Sequence, residues 1–343
     1  MELKELCLLN GVSGDEKEIR KAIMEQAKPL CDSVKIDRMG NVIAFKKGNK
    51  GGRHILFSAH MDEVGFIIMD ATEDGMLMFR PVGGIDPRVC VSKYVVIGEK
   101  KVKGVIGAMA IHLQSREDMK RVLPFDNLYI DIGAKSKDEA LGECPPGTFA
   151  YFDTDYELFG DGFVVSKALD DRVGCYNMLR LMEETYDADV TYAFVVQEEV
   201  GCRGAAGAGY ASDADTVIVL EGTTAGDMGD VNKAQSICNA GDGVVVSFMD
   251  GASIANNELY REMMALAEKE NIHHQAKRGA TGGNDAGAYQ RSADGKRTCV
   301  LSVTCRYIHG PCSVAAVQDI ENTYRLMDRF LEEEAYKEAL KNG

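Results

Sequence analysis

The chain has 343 residues, and its 54 aspartates and glutamates outnumber its 39 lysines and arginines, which gives a formal net charge of −15. This acidic excess disfavours partners that carry phosphate, so we expect the protein to bind neither nucleic acid nor an anionic membrane surface. Hydrophobic residues make up 45% of the chain, which excludes a disordered protein. The length is typical of about two domains.

The first ten residues, MELKELCLLN, are interrupted by charges before the apolar core of a signal peptide could form. The sequence also lacks an apolar run of the ~18 residues that a membrane span needs. We therefore expect a cytoplasmic protein. None of the ten cysteines forms a Cys-x-x-Cys pair, so we expect reduced, mostly buried thiols and neither a zinc ribbon nor a redox dithiol.

The first 60 residues predict two helices followed by three strands. Residues 2–30 have a helical pattern that is broken at Asn10–Gly14, where Asn and Gly favour a turn. Strand-like runs follow at 34–36 and 42–45, and the apolar run 54–59 predicts a buried strand that ends at His60.

Residues 64–155 have a different texture, in which short β-rich runs alternate with Gly, Pro and Asp turns. This pattern is typical of a small β-barrel or sandwich. The predicted strands are 65–69, 76–80, 93–97 and 129–132, and the predicted helices are 115–122 and 136–141.

From residue 156 onward strands and helices alternate, which predicts an α/β domain interrupted by the β-rich insertion. The strand 190–196 is apolar throughout, as in a sheet that is covered on both faces. Further strands are predicted at 216–220, 243–249 and 298–304, and helices at 170–184, at 258–270 and from 317 onward.

Several candidate chemical residues stand at the ends of apolar strands, which is where open α/β sheets bind ligands. His60 ends one such strand, and Asp62 follows it. Two interpretations of His60 are open: a metal ligand whose imidazole is oriented by the carboxylate, or a core histidine that is hydrogen-bonded to a turn. Asp170 opens a helix, where a carboxylate is favourable in any protein. The adjacent Glu198 and Glu199 end another strand, and like charges this close need a compensating cation or proton.

Glu221 ends a further strand, and His309 follows the last one in a turn that Pro311 stiffens. Nitrogen and oxygen ligands of this kind suit Zn²⁺, Co²⁺ or Mn²⁺. Two histidines and three carboxylates could hold two divalent ions with one carboxylate shared, and Glu198 is left unassigned. Of two adjacent glutamates, one can bind metal while its neighbour acts as a general base toward water. The five candidate ligands are His60, Asp170, Glu199, Glu221 and His309.

Six segments, in this order, resemble the cytoplasmic dinuclear-metal aminopeptidases of the glutamyl aminopeptidase family, whose members commonly assemble as tetrahedral (TET) dodecamers. The resemblance covers essentially the whole chain, and the joint order of the segments is highly specific. The segments are LNGVSGDE from Leu9, SAHMDEVGF from Ser58, YIDIGA from Tyr129, ALDDR from Ala168, QEEVG from Gln197 and RYIH from Arg306.

The resemblance implies that His60, Asp170 and Glu221 bind one ion and that Asp170, Glu199 and His309 bind the other. Two Zn²⁺ ions per subunit are expected, with Co²⁺ or Mn²⁺ as alternatives.

The resemblance further implies that Asp62 orients the first imidazole and that Glu198 is the general base. The implied fold is a mixed-sheet α/β/α metallopeptidase domain, residues 1–63 and 156–343, with an inserted small β-barrel dimerisation domain over residues 64–155. Two positions depart from the family: many relatives carry Asp where this chain has Glu221, and many carry an acid where it has Ser313.

The activity expected from these residues is removal of the N-terminal residue from short peptides. A deacylase or carboxypeptidase on the same fold, a glycosidase that uses two carboxylates without metal, and a non-catalytic scaffold are the alternatives. The segment Gly282–Gly287 predicts either a loop that lines the substrate pocket or an ordinary glycine turn capped by Asn284 or Asp285.

Overall fold

The computed structural model describes residues 1–50, 53–229, 231–232, 236–280 and 282–341, apart from the side chains of residue 118 and residues 334–341. Within these residues the helices are α1 (Leu3–Leu8), α2 (Lys17–Ala27), α3 (Lys137–Glu143), α4 (Leu169–Leu181), α5 (Arg203–Ala211), α6 (Asn257–Lys269), α7 (Asp285–Gln290) and α8 (Val317–Lys341). The strands are β1 (Ser33–Ile36), β2 (Val42–Lys46), β3 (His54–His60), β4 (Gly65–Ala71), β5 (Leu77–Val82), β6 (Tyr94–Ile97), β7 (Val102–Ala108), β8 (Leu128–Asp131), β9 (Phe149–Phe152), β10 (Glu157–Phe159), β11 (Phe163–Ser166), β12 (Asp189–Val195), β13 (Thr216–Thr224), β14 (Val244–Ser247), β15 (His274–Ala276), β16 (Arg297–Cys305) and β17 (Ser313–Ala316).

One mixed sheet organises the molecule, and its strands within the described residues run in the order β1-β2-β12-β3-β13-β16-β14-β15. The central strands β12, β3, β13 and β16 are parallel, whereas β2 and β14 flank them in the antiparallel direction. These central strands are almost wholly buried, which explains their continuous apolar sequences. Because they run in one direction, their carboxyl ends meet at the same edge of the sheet.

Helices cover both faces of this sheet, because side chains alternate between the faces along each strand. Phe57 of β3 lies in the larger core, where α2, α4, α6 and α8 contribute side chains such as Met263 and Phe330. Leu56 lies in the smaller core on the opposite face, together with Ala205 of α5 and Tyr289 of α7. The result is a three-layer α/β/α arrangement.

Residues between β3 and β10 form a closed barrel with the strand order β4-β5-β8-β7-β6-β9. Its core is separate from the two cores of the sheet and is built around aromatic rings. The ring of Phe66 contacts Phe79 and Phe152 edge-to-face, with centroid distances of 5.0 and 5.1 Å. Closure leaves no unpaired strand edge in this β-rich insertion.

The mixed α/β/α fold with an inserted β-barrel, which the sequence predicts, is confirmed. The predicted helix over 115–122 is wrong, because only a single 3₁₀ turn forms there, at Asp118–Lys120. A helix of eight residues with no apolar face to pack is too short to be stable. Strands β7 and β9 were not predicted; β7 contains two glycines, which weaken the strand signal. The proposed role of residues 64–155 as a dimerisation domain stays a prediction.

All ten cysteines lie in the described part of the chain as free thiols, and seven of them are buried, which agrees with the expectation of reduced and mostly buried thiols. Of the helices that the structure describes, none combines the length and the apolar character that crossing a membrane requires.

Candidate metal centre

The carboxyl edge of the parallel strands brings the predicted ligands together. His60 is the last residue of β3 and pairs with Val195, the last residue of β12. The turn after β12 carries Glu198 and Glu199, and the turn between β16 and β17 carries His309. Asp170 reaches the same place from the start of α4. Sequence spacing could not show this convergence, because it follows from the register of the sheet.

Glu221 also reaches this edge, but it does not end its strand as predicted. Strand β13 continues to Thr224, because pairing with β16 extends through Thr224 and Cys305. Strand β16 supplies backbone hydrogen bonds to β13 beyond Glu221, and the sequence pattern alone did not reveal this pairing.

The first half of the site surrounds the fully buried imidazole of His60. Its Nδ1 lies 3.0 Å from the backbone oxygen of Asp62, a contact in which Nδ1 must be the donor. Its Nε2 faces two carboxylates, Asp170 Oδ1 at 3.3 Å and Glu221 Oε2 at 3.7 Å. The backbone N–H of His60 donates to Asp171 Oδ2 at 3.3 Å, which holds the end of the strand.

The second half of the site surrounds His309, whose Nδ1 lies 3.1 Å from the backbone oxygen of Gly84. Its Nε2 faces Glu199 Oε2 at 3.3 Å and Asp170 Oδ2 at 3.6 Å. Asp170 therefore turns one oxygen toward each imidazole. Gly84 follows strand β5, so the β-rich insertion supplies the group that orients this histidine.

Both imidazoles thus donate through Nδ1 to a backbone oxygen and turn the lone pair of Nε2 toward carboxylates. Acceptors that face one another are repulsive unless a proton or a metal ion lies between them. The separations of 3.3–3.7 Å match the ~3.4 Å expected between ligand atoms in a tetrahedron with bonds of about 2.1 Å. Glu221 Oε1 is buried and has no hydrogen-bond partner among the described residues. The donor set therefore fits divalent cations, and Asp170 faces both imidazoles.

The pKa values of these groups reflect the crowding of charge. Burial alone would lower the pKa of His60, but the carboxylates of Asp170 and Asp62 reverse this and hold it well above its ordinary range. Burial also opposes protonation of His309, yet Asp170 and Glu199 raise its pKa to about 9. Burial raises the pKa of Glu199 to about 8. Without metal, protons therefore compensate the clustered carboxylates.

Asp62 holds the turn that carries the two adjacent glutamates. Its carboxylate accepts the backbone N–H groups of Glu198 and Glu199 at 3.1 and 3.2 Å, and the hydroxyl of Ser13 at 2.6 Å. Burial would raise the pKa of Asp62, but the imidazole of His60 holds it below its ordinary value. An ionised Asp62 therefore couples the end of β3 to the turn after β12.

Glu198 is placed beside both halves without being buried as deeply as the other carboxylates. One oxygen lies 4.0 Å from His60 Nε2, and 12% of the side chain is exposed. Burial raises the pKa of this carboxyl group. The imidazole of His60 partly opposes this rise, and the neighbouring carboxylate of Asp170 adds to it. A partly exposed carboxylate with a raised pKa is suited to accept and return a proton.

Two residues near the site, Asp171 and Cys202, were not assigned a role from the sequence, and Asp285 was considered only as a cap or as part of a pocket loop. The carboxylate of Asp171 accepts the backbone N–H of His60. Because Asp171 directly follows Asp170, it gave no separate signal in the sequence. Asp285 begins helix α7, so the predicted glycine segment ends in a helix that Asn284 caps through the N–H of Ala286. Asn284 therefore caps a helix and not the predicted glycine turn, and the role of this segment in lining a substrate pocket stays a prediction. The only sequence signal for Asp285 is an acid at the head of the small-residue run AGAY.

The geometry agrees with comparisons to known proteins. A family model described as M42 glutamyl aminopeptidase matches residues 40–326. A lysyl aminopeptidase of Pyrococcus furiosus is 31% identical over 340 residues, which cover 96% of this chain and 96% of that protein.

Two solved structures are also similar. An aminopeptidase of the archaeon Desulfurococcus kamchatkensis superposes with a TM-score of 0.92 at 33% identity, covering 96% of this chain and 93% of that one. The TET1 peptidase of Pyrococcus horikoshii, which can assemble into a tetrahedron or a large octahedral shell, superposes with a TM-score of 0.85 at 34% identity, covering 96% and 98% of the two chains.

Proposed function

The chain belongs to the M42 glutamyl aminopeptidase family and is a peptide-bond hydrolase, and from this premise we propose that it removes the N-terminal residue of short peptides with two divalent cations and a glutamate base. The observation that carries the proposal is the pair of imidazoles whose Nε2 atoms face opposite oxygens of one carboxylate, Asp170. A site that merely stabilised the fold would have no reason to turn acceptors toward one another.

We assign one cation to His60, Asp170 and Glu221. The other cation is assigned to Asp170, Glu199 and His309. Nitrogen and oxygen donors suit Zn²⁺, with Co²⁺ or Mn²⁺ as alternatives. When bound, such a pair lowers the pKa of a water molecule, holds the free amine of the substrate and stabilises the developing oxyanion.

The side chains of this chain supply the proton transfer and the positioning. Glu198 accepts the proton of the attacking water and returns it to the leaving amine, and its raised pKa brings it nearer to neutral pH, where this exchange is efficient. Asp62 keeps the base in place through the backbone N–H of Glu198. The backbone oxygens of Asp62 and Gly84 hold the two imidazoles in the tautomer that leaves Nε2 free.

Hydrolysis of a panel of acidic, basic and apolar aminoacyl anilides, with and without a chelator, tests the proposal. We expect turnover that a chelator abolishes and that Zn²⁺, Co²⁺ or Mn²⁺ restores. Turnover of N-acyl substrates only would indicate a deacylase, and cleavage from the carboxyl end of a peptide would indicate a carboxypeptidase. Cleavage of a glucan that survives the chelator would indicate a glycosidase, since that chemistry needs two carboxylates and no metal.

We also propose that the chain forms a homo-oligomer built from dimers through the barrel, up to a tetrahedral dodecamer. The support is apolar surface on the segment that joins β7 and β8, where Ile111 is 72% exposed and Leu113 is 67% exposed. Exposed apolar patches of this kind mark protein interfaces. Light scattering should give a multiple of the 37.4 kDa chain, and Ile111→Asp with Leu113→Asp should reduce it. A monomer in the unmodified protein would contradict this proposal.

The cellular location that we propose is the cytoplasm. The support is chemical, because ten free thiols with no disulfide between them are typical of a reducing compartment.

A further inference from the structure

A second cluster of possible ligands adjoins the metal centre and shares only Glu198 with the proposed mechanism. It consists of Glu198, Cys202 and Asp285, each of which offers one ligand atom, and these atoms all lie within 4.8 Å of one another. None of the five residues assigned to the two cations belongs to it. The cluster therefore needs an explanation of its own.

The buried carboxylate of Asp285 is the feature that points to a ligand. The residue is 0% exposed, and neither of its carboxylate oxygens has a hydrogen-bond partner among the residues that the structure describes. Its position is fixed, because the preceding Asn284 caps α7 and donates to Asp250 Oδ2 at 3.0 Å. A buried carboxyl group in this state must be neutralised by a proton or balanced by a cation.

The other two members of the cluster are held together by one tight turn. The backbone N–H groups of Gly201 and Cys202 both donate to the backbone oxygen of Glu198, at 2.8 and 2.9 Å. The thiol of Cys202 lies 3.5 Å from Glu198 Oε1. This separation already matches the ~3.6 Å expected between a sulfur and an oxygen that share a tetrahedral ion. The turn therefore presents two ligands in advance, and Asp285 supplies the third from α7.

We propose that Glu198, Cys202 and Asp285 form a third cation site, which takes a thiophilic divalent ion such as Zn²⁺ or Cd²⁺ in excess and inhibits the enzyme. A thiolate beside two carboxylates favours such ions over Mg²⁺ or Ca²⁺, which prefer oxygen ligands alone. Binding forms a sulfur–metal bond and two oxygen–metal bonds. The proton of the thiol, and that of Asp285, leave to solvent.

The charge balance of the free cluster agrees with this exchange. Burial raises the pKa of Asp285 well above its ordinary range, and the nearby Glu198 adds to the rise. Burial likewise raises the pKa of the Cys202 thiol, and the carboxylates of Asp285 and Glu198 raise it further. A cation that binds to Asp285 and Cys202 replaces the protons of these two groups.

Inhibition follows because Glu198 cannot bind a cation and accept a proton from water with the same lone pairs. This consequence rests on the proposed function, whereas binding of the third ion does not. The two parts can therefore be tested separately.

Titration of the metal-depleted protein with Co²⁺ tests the binding. Sulfur-to-cobalt charge transfer gives a near-ultraviolet band, and the ligands assigned to the two catalytic cations contain no sulfur. We expect this band to develop only beyond two equivalents of Co²⁺ per chain. Cys202→Ser should abolish it, and Asp285→Asn should weaken the third binding step at least tenfold. Cys31→Ser, which alters another partly exposed thiol, should leave it unchanged.

No band through several equivalents, or a full band in Cys202→Ser, would overturn the proposal. Protection of Cys202 from iodoacetamide by the third equivalent, followed by peptide mapping of the unmodified protein, gives the same answer without any variant. Excess Zn²⁺ should inhibit anilide hydrolysis by the unmodified protein and much less by Cys202→Ser. A band that develops from the first equivalent would sustain the third site but contradict the two-cation proposal.

Discussion

Two clusters of buried charge lie next to each other in this molecule, and they differ in which groups face their carboxylates. In the first cluster, Lys167 Nζ contacts both oxygens of Glu63, at 2.7 and 2.8 Å, and Arg172 lies 3.6 Å from the same carboxylate. The backbone N–H of Gly11 also donates to Glu63, at 3.0 Å. Two cations therefore share the carboxylate of Glu63, and Arg172 Nη2 has no hydrogen-bond partner among the described residues.

The second cluster is the candidate metal centre, in which His60 and Asp170 lie three residues along the chain from Glu63 and Lys167, respectively. There the ion-pair partners of the carboxylates, among the described residues, are the two imidazoles. Carboxylates outnumber histidines, and one buried oxygen of Glu221 has no hydrogen-bond partner among the described residues. A buried carboxylate that is matched by cations of the protein serves the fold, whereas an excess of buried carboxylates indicates a cationic ligand.

Among substitutions that test this difference between the two clusters, the largest effect is expected at Glu198. Glu198→Gln keeps the shape of the side chain but removes its ability to accept a proton. We expect kcat to fall by ~10²–10⁴, as for loss of a general base, with two metal ions per chain retained in elemental analysis. A variant that hydrolyses anilides at the unmodified rate would show that Glu198 is not the base.

A substitution in the cluster of Glu63, Lys167 and Arg172 should lower the stability of the fold without changing the metal content. Lys167→Met leaves Glu63 buried without its nearest cation, and breaking a buried pair in this way costs about 3–5 kcal/mol. We expect a lower midpoint in denaturant unfolding and unchanged metal stoichiometry in the fraction that remains folded.

The control is Lys100→Met, which breaks an exposed pair with Glu143 at 3.0 Å. Exposed pairs contribute only about 0–1 kcal/mol, so its midpoint should barely move. Equal effects of the two substitutions would mean that burial does not distinguish these pairs.

The smallest expected effect lies where the two clusters adjoin, at Ser13. Ser13→Ala removes one of the three hydrogen bonds that the Asp62 carboxylate accepts. Loss of one partner of an ionised group costs about 1–3 kcal/mol, and we expect part of this loss to be seen as weaker metal affinity in chelator competition.

Ser292→Ala is the matched control, because it removes a buried hydroxyl that donates to the backbone oxygen of Ala288 at 2.8 Å. It should lower stability without changing metal affinity. Unchanged metal affinity in Ser13→Ala would show that this hydrogen bond of Asp62 does not influence metal binding.

The amino-acid sequence alone determined the class of fold and the types of residue at the site. Continuous apolar runs such as 190–196 indicate parallel strands that are covered on both faces, and acids at their ends indicate a ligand site. These signals are local, because they depend on a side chain and its near neighbours in the chain.

Tertiary structure decided which residues meet. Gly84 and His309 are 225 residues apart in the sequence, so no local pattern could reveal that a carbonyl beside the barrel orients the imidazole of His309. The same holds for Asp285, whose carboxylate lies buried without a hydrogen-bond partner among the described residues only once α7 has packed beside the turn of Glu198. Burial and charge balance are properties of the folded surroundings, and the chain acquires them only when distant segments pack together.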